Sequence, residues 1–493
     1  FILATTEIEK MPKTILSRVQ KFEFNKIGRE DIIKQIDIIL SDRNITIEQE
    51  AKELSDYFMD KLDFVINYIE SGEKPETEEN LGVECEHLIL KEDGRAVGYF
   101  DNGGTQDIFN DLVKNQGFEP HIEEGKILSC KKGEFSISTE PGGQIEFSSK
   151  QKRCVKTIEA GILDFYDLIL PEIDKYGNGL YTAPFQPVSR IEDYEILPKE
   201  RYYAMFDYFK KHGKLSHLMM KGTTSLQCSI DFHNEKDYSR KYGMATRLTN
   251  ILYTLFDNVA FKENRPLDIY AYRAKIWENT DPARTGVLER AFRPNFSYKD
   301  YANKVLATDA IFTLEQGEFK RFDGTIGEAI GDDFDLEKLE HLLTMVFFDV
   351  RTKKFIEIRM IDSLPWPYNV GAVALINNIF YNDDNLDRMW NLLGDMTYKE
   401  HLRSREEIYK KGPQAKLMGK KISRWGEEIL SALDVNDYDR KALQKIVPLM
   451  EGNTLRNKQL EIYNRTYNAK EAIEINRVKT VPHTPMKDLK TGC

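Results

Sequence analysis

Glu84 and Glu86 stand two residues apart in Leu81-Gly82-Val83-Glu84-Cys85-Glu86-His87-Leu88-Ile89-Leu90, a stretch that otherwise reads as an apolar strand. Residues i and i+2 of an extended chain point to the same side of a sheet, so the two carboxylates share a face. A second acidic pair, Glu140 and Glu146, brackets the turn Pro141-Gly142-Gly143, and Gln144 shares a face with Glu146. In Phe355-Ile356-Glu357-Ile358-Arg359 a carboxylate and a guanidinium lie on one side. Any one of these fits a solvated strand face or a surface ion pair. The three together fit it less well, because clustered carboxylates destabilise one another unless cations neutralise them. Oxygen-rich clusters suit Mg²⁺ bridging to nucleotide phosphate, which is phosphoryl chemistry. Arg351, Arg359 and Arg273, the last in Tyr272-Arg273-Ala274-Lys275-Ile276-Trp277, offer the paired donors that hold a phosphate or a carboxylate.

The elements that must position these groups are read from periodicity. Strand-like segments run over 82–90, 135–148, 225–232 and 355–359, and long helices over 199–211, 241–256 and 336–347. Leu54, Tyr57, Phe58, Leu62, Val65, Ile66 and Ile69 recur at helical spacing over 51–72, and a polar stretch with Pro75 ends that helix. Residues 382–477 are charged and helical. This order lacks regular βαβ alternation, so the expected class is α+β with an antiparallel sheet.

Length and composition bound the rest. The 493 residues suggest two or three domains or one large enzyme fold, and 41% hydrophobic with 31% charged residues excludes wholesale disorder. A net charge of −11 lacks the positive field of a non-specific nucleic-acid binder. No apolar run approaches the roughly 18 to 20 residues of a membrane helix, and no signal peptide opens the chain. Cys85, Cys130, Cys154, Cys228 and Cys493 show no CxxC spacing and are expected to be cytosolic thiols, which places the protein in the cytoplasm. The histidines form no HExxH, and His87 and His233 are expected to be structural. The chain begins with Phe1 and not Met, as a fragment or a processed product would.

Two resemblances add to this reading. The segment FILATTEIEKMPKTILSRVQKFEFNKIGREDII resembles the gamma/tau subunit of the bacterial DNA polymerase III clamp loader, with Ser17-Arg18 in the place of its arginine finger and Val19 where that family carries Cys. It covers about the first fifty residues, and the chain has no GxxxxGK[ST] phosphate loop. Residues 1–50 are therefore expected to be an inert leader. From about Leu54 to Glu471 the chain resembles glutamate-cysteine ligases of the plant-type and bacterial class, on GVECEHLIL, STEPGGQIEFSS, FQPVSRIEDYEILPKERYYAM, SLQCSIDF, YRAKIWENTDPARTG, DVRTKKFIEIR and DSLPW.

This second resemblance implies one catalytic domain over 51–493. Its expected fold is glutamine-synthetase-like, with a curved, mostly antiparallel sheet, helices packed on one side and a helical C-terminal region. It implies a reaction in which ATP, with Mg²⁺, phosphorylates the γ-carboxylate of L-glutamate, and the amine of L-cysteine then displaces phosphate. Glu84, Glu86, Glu140, Glu146, Gln227 and Glu357 would hold metal, with Glu84, Gln227 and Glu357 about one ion and Glu86, Glu140 and Glu146 about another. Arg351 and Arg359 would act on the transferring phosphoryl group. Arg273 would take the α-carboxylate of glutamate, with Arg201 second, while Trp277 and Gln144 would line the amino-acid pocket. Ser229 in SLQCSID and the run Leu306-Ala307-Thr308-Asp309 depart from the family pattern. Two rival readings are a related carboxylate-amine ligase using another amine and a non-catalytic clamp-loader-associated binding protein.

Overall fold

The computed structural model describes residues 61–489, apart from 124, 316 and 317. The clamp-loader-like segment 1–50, with Ser17-Arg18, lies outside the described residues, as does Cys493. Of the helix expected over 51–72, the described part runs Lys61–Glu70.

The framework is a nine-stranded sheet. Its strands are β1 Leu81–Leu90, β2 Glu119–Glu123, β3 Lys126–Lys132, β4 Phe135–Thr139, β5 Ile145–Ser149, β6 Gly179–Tyr181, β7 Ser225–Ile230, β8 Val350–Thr352 and β9 Ile356–Asp362. They lie in the order β8-β9-β7-β1-β5-β4-β3-β2, with β6 on the far end of β1, and the pairings are antiparallel. The expected α+β class with an antiparallel sheet is therefore the observed one. The strand expected over 135–148 is two strands folded back at the Pro-Gly-Gly turn.

Alternation along the central strands assigns the two faces. On β1, His87 points to the rear, against the rings of Phe165 and Tyr166 at 5.6 Å. On β5, Phe147 stacks on Phe165 at 4.4 Å. On β7 and β9, Leu226, Cys228, Ile356 and Ile358 are buried in the same way. The helix Val155–Asp174 packs on this apolar face, as do Glu235–Leu255 and Tyr368–Phe380. Burying each such side chain contributes about 1.5–3 kcal/mol, which fixes register because a one-residue slip would turn every acidic residue into the core.

Helix bounds depart from the expected ones where capping or long-range pairing intervenes. The helix expected from residue 241 begins at Glu235, because Asn234 accepts a hydrogen bond from the Asp237 amide at 2.9 Å. The helix expected over 336–347 stops at Leu343, and Phe347–Phe348 instead pairs in parallel with Thr285–Gly286. Seven α-helices between Tyr368 and Ile473 build the C-terminal region. Cys85, Cys130 and Cys228 are free and buried within the sheet. Cys154 sits half-buried at the start of Val155–Asp174, off the sheet that encloses the other three.

Candidate active site

The strand face opposite the helices forms the floor of a cavity of about 230 Å³. Register brings its polar residues into rows. Glu84 faces Gln227 across β1 and β7, Glu86 faces Glu146 across β1 and β5, and Arg351 faces Glu357 across β8 and β9. Directly opposed like charges such as Glu86 and Glu146 are unfavourable in a sheet. Three further pieces close the walls: the helix Glu200–Phe209 with Arg201, Tyr202 and Met205, the segment bearing Met219, Met220 and Thr223, and the helix Tyr272–Glu278 with Arg273 and Trp277.

Of the twelve residues singled out from sequence, Glu84, Glu86, Glu140, Glu146, Gln227, Gln144, Arg201, Arg273, Trp277, Arg351 and Arg359 all line this cavity. Glu357 lies behind it, 1% exposed. Its Oε2 accepts from Arg351 Nε at 2.7 Å and Arg359 Nη1 at 2.8 Å, and its Oε1 accepts from Arg351 Nη2 at 3.0 Å. Arg359 Nη1 also donates to Gln227 Oε1 at 2.7 Å, and its guanidinium lies 5.7 Å from the Trp277 ring.

The carboxylates of the floor differ in their partners. Glu86 accepts from the Ser225 amide at 2.6 Å, the Ser225 hydroxyl at 3.0 Å and Gln227 Nε2 at 2.8 Å. Gln227 thus bridges Glu86 to Arg359 and is not Glu84's partner alone. Glu146 accepts from Ser138 Oγ at 3.0 Å. Among the described residues, the carboxylates of Glu84 and Glu140 meet no hydrogen-bond donor. Burial and the charges of Glu146 and Glu357 push Glu84 up to about 8. Burial and the Glu86 charge do the same for Glu140, also to about 8. Glu146 is raised to about 8 by burial and by Glu140 and Glu86. Burial would raise Glu357 too, but Arg351, Arg359 and Lys353 outweigh it and hold its carboxyl well below the usual range.

Gln144 uses its side-chain amide on the scaffold. Its Oε1 accepts from the Gly142 amide at 2.7 Å, and its Nε2 donates to the carbonyls of Thr223 at 3.0 Å and Met220 at 3.3 Å. It therefore ties the Pro-Gly-Gly turn to the cavity wall. Arg201 contrasts with it: its Nε is buried and has no hydrogen-bond partner, which leaves its fork for an anion within the cavity.

Three contributors escaped the sequence reading. Ser225 is visible only once β7 is laid beside β1. Asp362 closes β9 and holds Arg273 Nε at 3.1 Å. Lys353, two residues beyond Arg351, adds positive charge beside Glu84 and Glu357, and the Arg351 charge and burial push its own ammonium below the ordinary value. The run Arg351-Thr352-Lys353 carried a signal for Lys353, since alternate residues of a strand share a side.

Among the described residues, the trio Glu79, His233 and Asp237 brings three ligating atoms within 4.8 Å of one another. Lys241 occupies that cluster, 2.9 Å from Glu79 Oε1 and 2.8 Å from Asp237 Oδ2, which makes it an ion-pair network in keeping with a structural His233. The floor carboxylates are spread more widely. No helix among the described residues is long and apolar enough to cross a membrane.

The chain is similar to known proteins over most of its length. Glutamate–cysteine ligase A, chloroplastic, of Oryza sativa subsp. indica is 28% identical over 396 residues, covering 78% of this chain and 80% of its own. Glutamate–cysteine ligase, chloroplastic, of Arabidopsis thaliana is 28% identical over 415 residues, covering 81% and 79%. Among solved structures, the glutamate–cysteine ligase of Francisella tularensis in complex with AMP superposes with a TM-score of 0.47 at 12% identity, covering 81% of this chain and 87% of that one. The model of glutamate-cysteine ligase family 2 matches residues 80–446, and the chain, an enzyme of the ligase class, belongs to that family.

Proposed function

We propose that this cavity joins L-glutamate to L-cysteine through the γ-carboxylate of glutamate, using ATP and passing through γ-glutamyl phosphate. The observation that carries the reading is one cavity, over one face of the sheet, that Glu84, Glu86, Glu140 and Glu146 line together with Arg351 and Arg359. A γ-carboxylate oxygen attacks the terminal phosphorus of ATP, and the bond to the ADP oxygen breaks. The cysteine amine then attacks the activated carbonyl carbon, its proton leaves, and the carbon–oxygen bond to phosphate breaks. The acyl phosphate is itself the activated species, so no side-chain nucleophile is needed. This accords with Cys85 and Cys228 being buried and raised by that burial out of thiolate range.

Arg351 and Arg359 would stabilise charge on the transferring phosphoryl group. Buried against Glu357, they are already oriented and need little reorganisation during reaction. Arg273 and Arg201 would receive the α-carboxylate of glutamate, the first fixed in place and the second with an unpartnered Nε, while Trp277 walls the pocket.

The donor set fits Mg²⁺. Its donors are carboxylate oxygens, two of the carboxylates meet no hydrogen-bond donor, and no three of them bring oxygens within 4.8 Å of one another, so oxygens from a ligand would complete the shell. Mg²⁺ is held in that manner, by one or two carboxylates plus substrate phosphates. Glu84, Glu140 and Glu146 would hold it, with Glu86 and Gln227 behind them. Glu357 is assigned to the arginines. Bound there, the ion supplies charge neutralisation for the nucleotide phosphates.

The test is phosphate release by the purified protein with ATP, Mg²⁺ and L-glutamate. Adding L-cysteine is expected to start release and to give γ-glutamylcysteine by mass spectrometry. Release started by another amine, with no response to cysteine, would assign the protein to a related carboxylate-amine ligase.

A further inference from the structure

Arg273 is held more tightly than a substrate-binding arginine requires. It is 2% exposed, and Nε donates to Asp362 Oδ1 at 3.1 Å. Its Nη2 donates to the carbonyl oxygens of Arg359 at 2.6 Å and Ile361 at 2.8 Å. Those carbonyls belong to β9 at the irregularity between Ile358 and Ile361, where its register with β7 shifts. A bulge re-aims the side chains within it, and Arg359 is such a residue, directed at Gln227 and Glu357. Arg273 therefore spans the cavity and the backbone that aims Arg359.

Among the described residues, Asp362 is the one carboxylate in an ion pair with this guanidinium, and it is itself fixed. It is 2% exposed, and its Oδ2 accepts from the Asn258 amide at 2.9 Å. Asn258 is gripped in turn by Gln459 Nε2 at 2.8 Å and bonded to Asn476 Oδ1 at 2.9 Å, both in the C-terminal region. The adjacent Asp257 accepts at 2.8 Å from the amide of Ala271, which has φ 48° and opens the helix carrying Arg273. The C-terminal helices thus reach the cavity through a short chain of buried polar contacts.

From this geometry we infer that Asp362 is a positioning residue of the ligase: by holding Arg273 it sets both the glutamate site and the bulge that directs Arg359. This rests on the reading of Arg273 as the glutamate-binding arginine. Asp362 does not line the cavity, so its removal acts through Arg273 and not beside it. A buried charge-assisted hydrogen bond has a large effect when one partner is lost, and residues in one network show non-additive effects.

The experiment is a mutant cycle on the full chain with Asp362→Asn, Arg273→Lys and the double variant, read as KM for each substrate, kcat and the thermal unfolding midpoint. Asp362→Asn is expected to raise KM for glutamate about tenfold with KM for cysteine within about twofold of the parent, and the double variant is expected to match Arg273→Lys alone. Asp362→Glu keeps the charge, is expected to retain more glutamate affinity than Asp362→Asn, and serves in its place if that variant does not accumulate. Additive losses in the cycle, or an Asp362→Asn protein with unchanged KM for glutamate beside an Arg273→Lys protein in which it rises, would overturn the positioning role alone. An Arg273→Lys protein with unchanged KM for glutamate would overturn the underlying assignment of Arg273.

Discussion

Glu357 meets Arg351 and Arg359 with both of its oxygens and is almost wholly buried. Breaking a buried pair by removing one charge leaves the other uncompensated. Glu357→Gln is therefore expected to loosen both arginines and lower kcat about ten- to a hundredfold, since a hydrogen bond to a charged group contributes about 1.5–3 kcal/mol. Steady-state rates together with a thermal melt measure this; a parental kcat would remove the two arginines from the phosphoryl site. The participants here were legible in the sequence because alternation puts Glu357 beside Arg359, and Glu84 beside Glu86, without knowledge of the fold. Their pairing was not legible. That Gln227 bonds both Glu86 and Arg359 depends on the register of β7 with β1 and β9, strands separated by more than a hundred residues of chain, whereas Glu357 reaches Arg351 across the short β8–β9 hairpin.

The turn between β4 and β5 decides where Glu140, Gln144 and Glu146 stand. Gly143 has φ 83°, a left-handed conformation that side chains resist. A Cβ on Gly142 would come within 2.2 Å of the Lys221 carbonyl oxygen. Backbone cannot move aside as a side chain can, so Gly142→Ala is expected to destabilise by about 1–3 kcal/mol, the ordinary cost of overpacking. Activity is expected to fall by more than the loss of folded protein explains, because the shift displaces Glu140 and Gln144 together. Denaturant unfolding and specific activity on the folded fraction separate the two effects, and an unchanged midpoint would contradict the close approach. EPGGQ announces the turn, yet nothing in it names Lys221 as the neighbour. Likewise the strands β1, β7 and β9 were legible from alternating apolar residues, whereas the early stop at Leu343 was not. The pairing of Phe347–Phe348 with Thr285–Gly286 is long-range, and helical periodicity carries no trace of it.

Across the whole molecule the net charge of −11 is concentrated in part on one floor. Glu84, Glu140 and Glu146 rise from 4.5 to about 8 in the folded chain, so the native state binds more protons than the unfolded state between those values. Stability then falls as pH rises through that window. Glu357, held low, contributes in the opposite sense: its ion pairs add stability above 4.5 that is lost as acid protonates it. The cation-free protein is therefore expected to melt at a lower temperature at pH 8 than at pH 6, and Mg²⁺ is expected to raise the midpoint more at pH 8. A magnesium effect independent of pH would place the ion away from these carboxylates. The most direct test of the central claim, that the γ-carboxylate of glutamate is phosphorylated on this floor, follows oxygen atoms. With L-glutamate labelled with oxygen-18 in the γ-carboxylate, ATP, Mg²⁺ and L-cysteine, the released phosphate is expected to carry one labelled oxygen for each dipeptide formed. Unlabelled phosphate accompanying dipeptide formation would contradict the account.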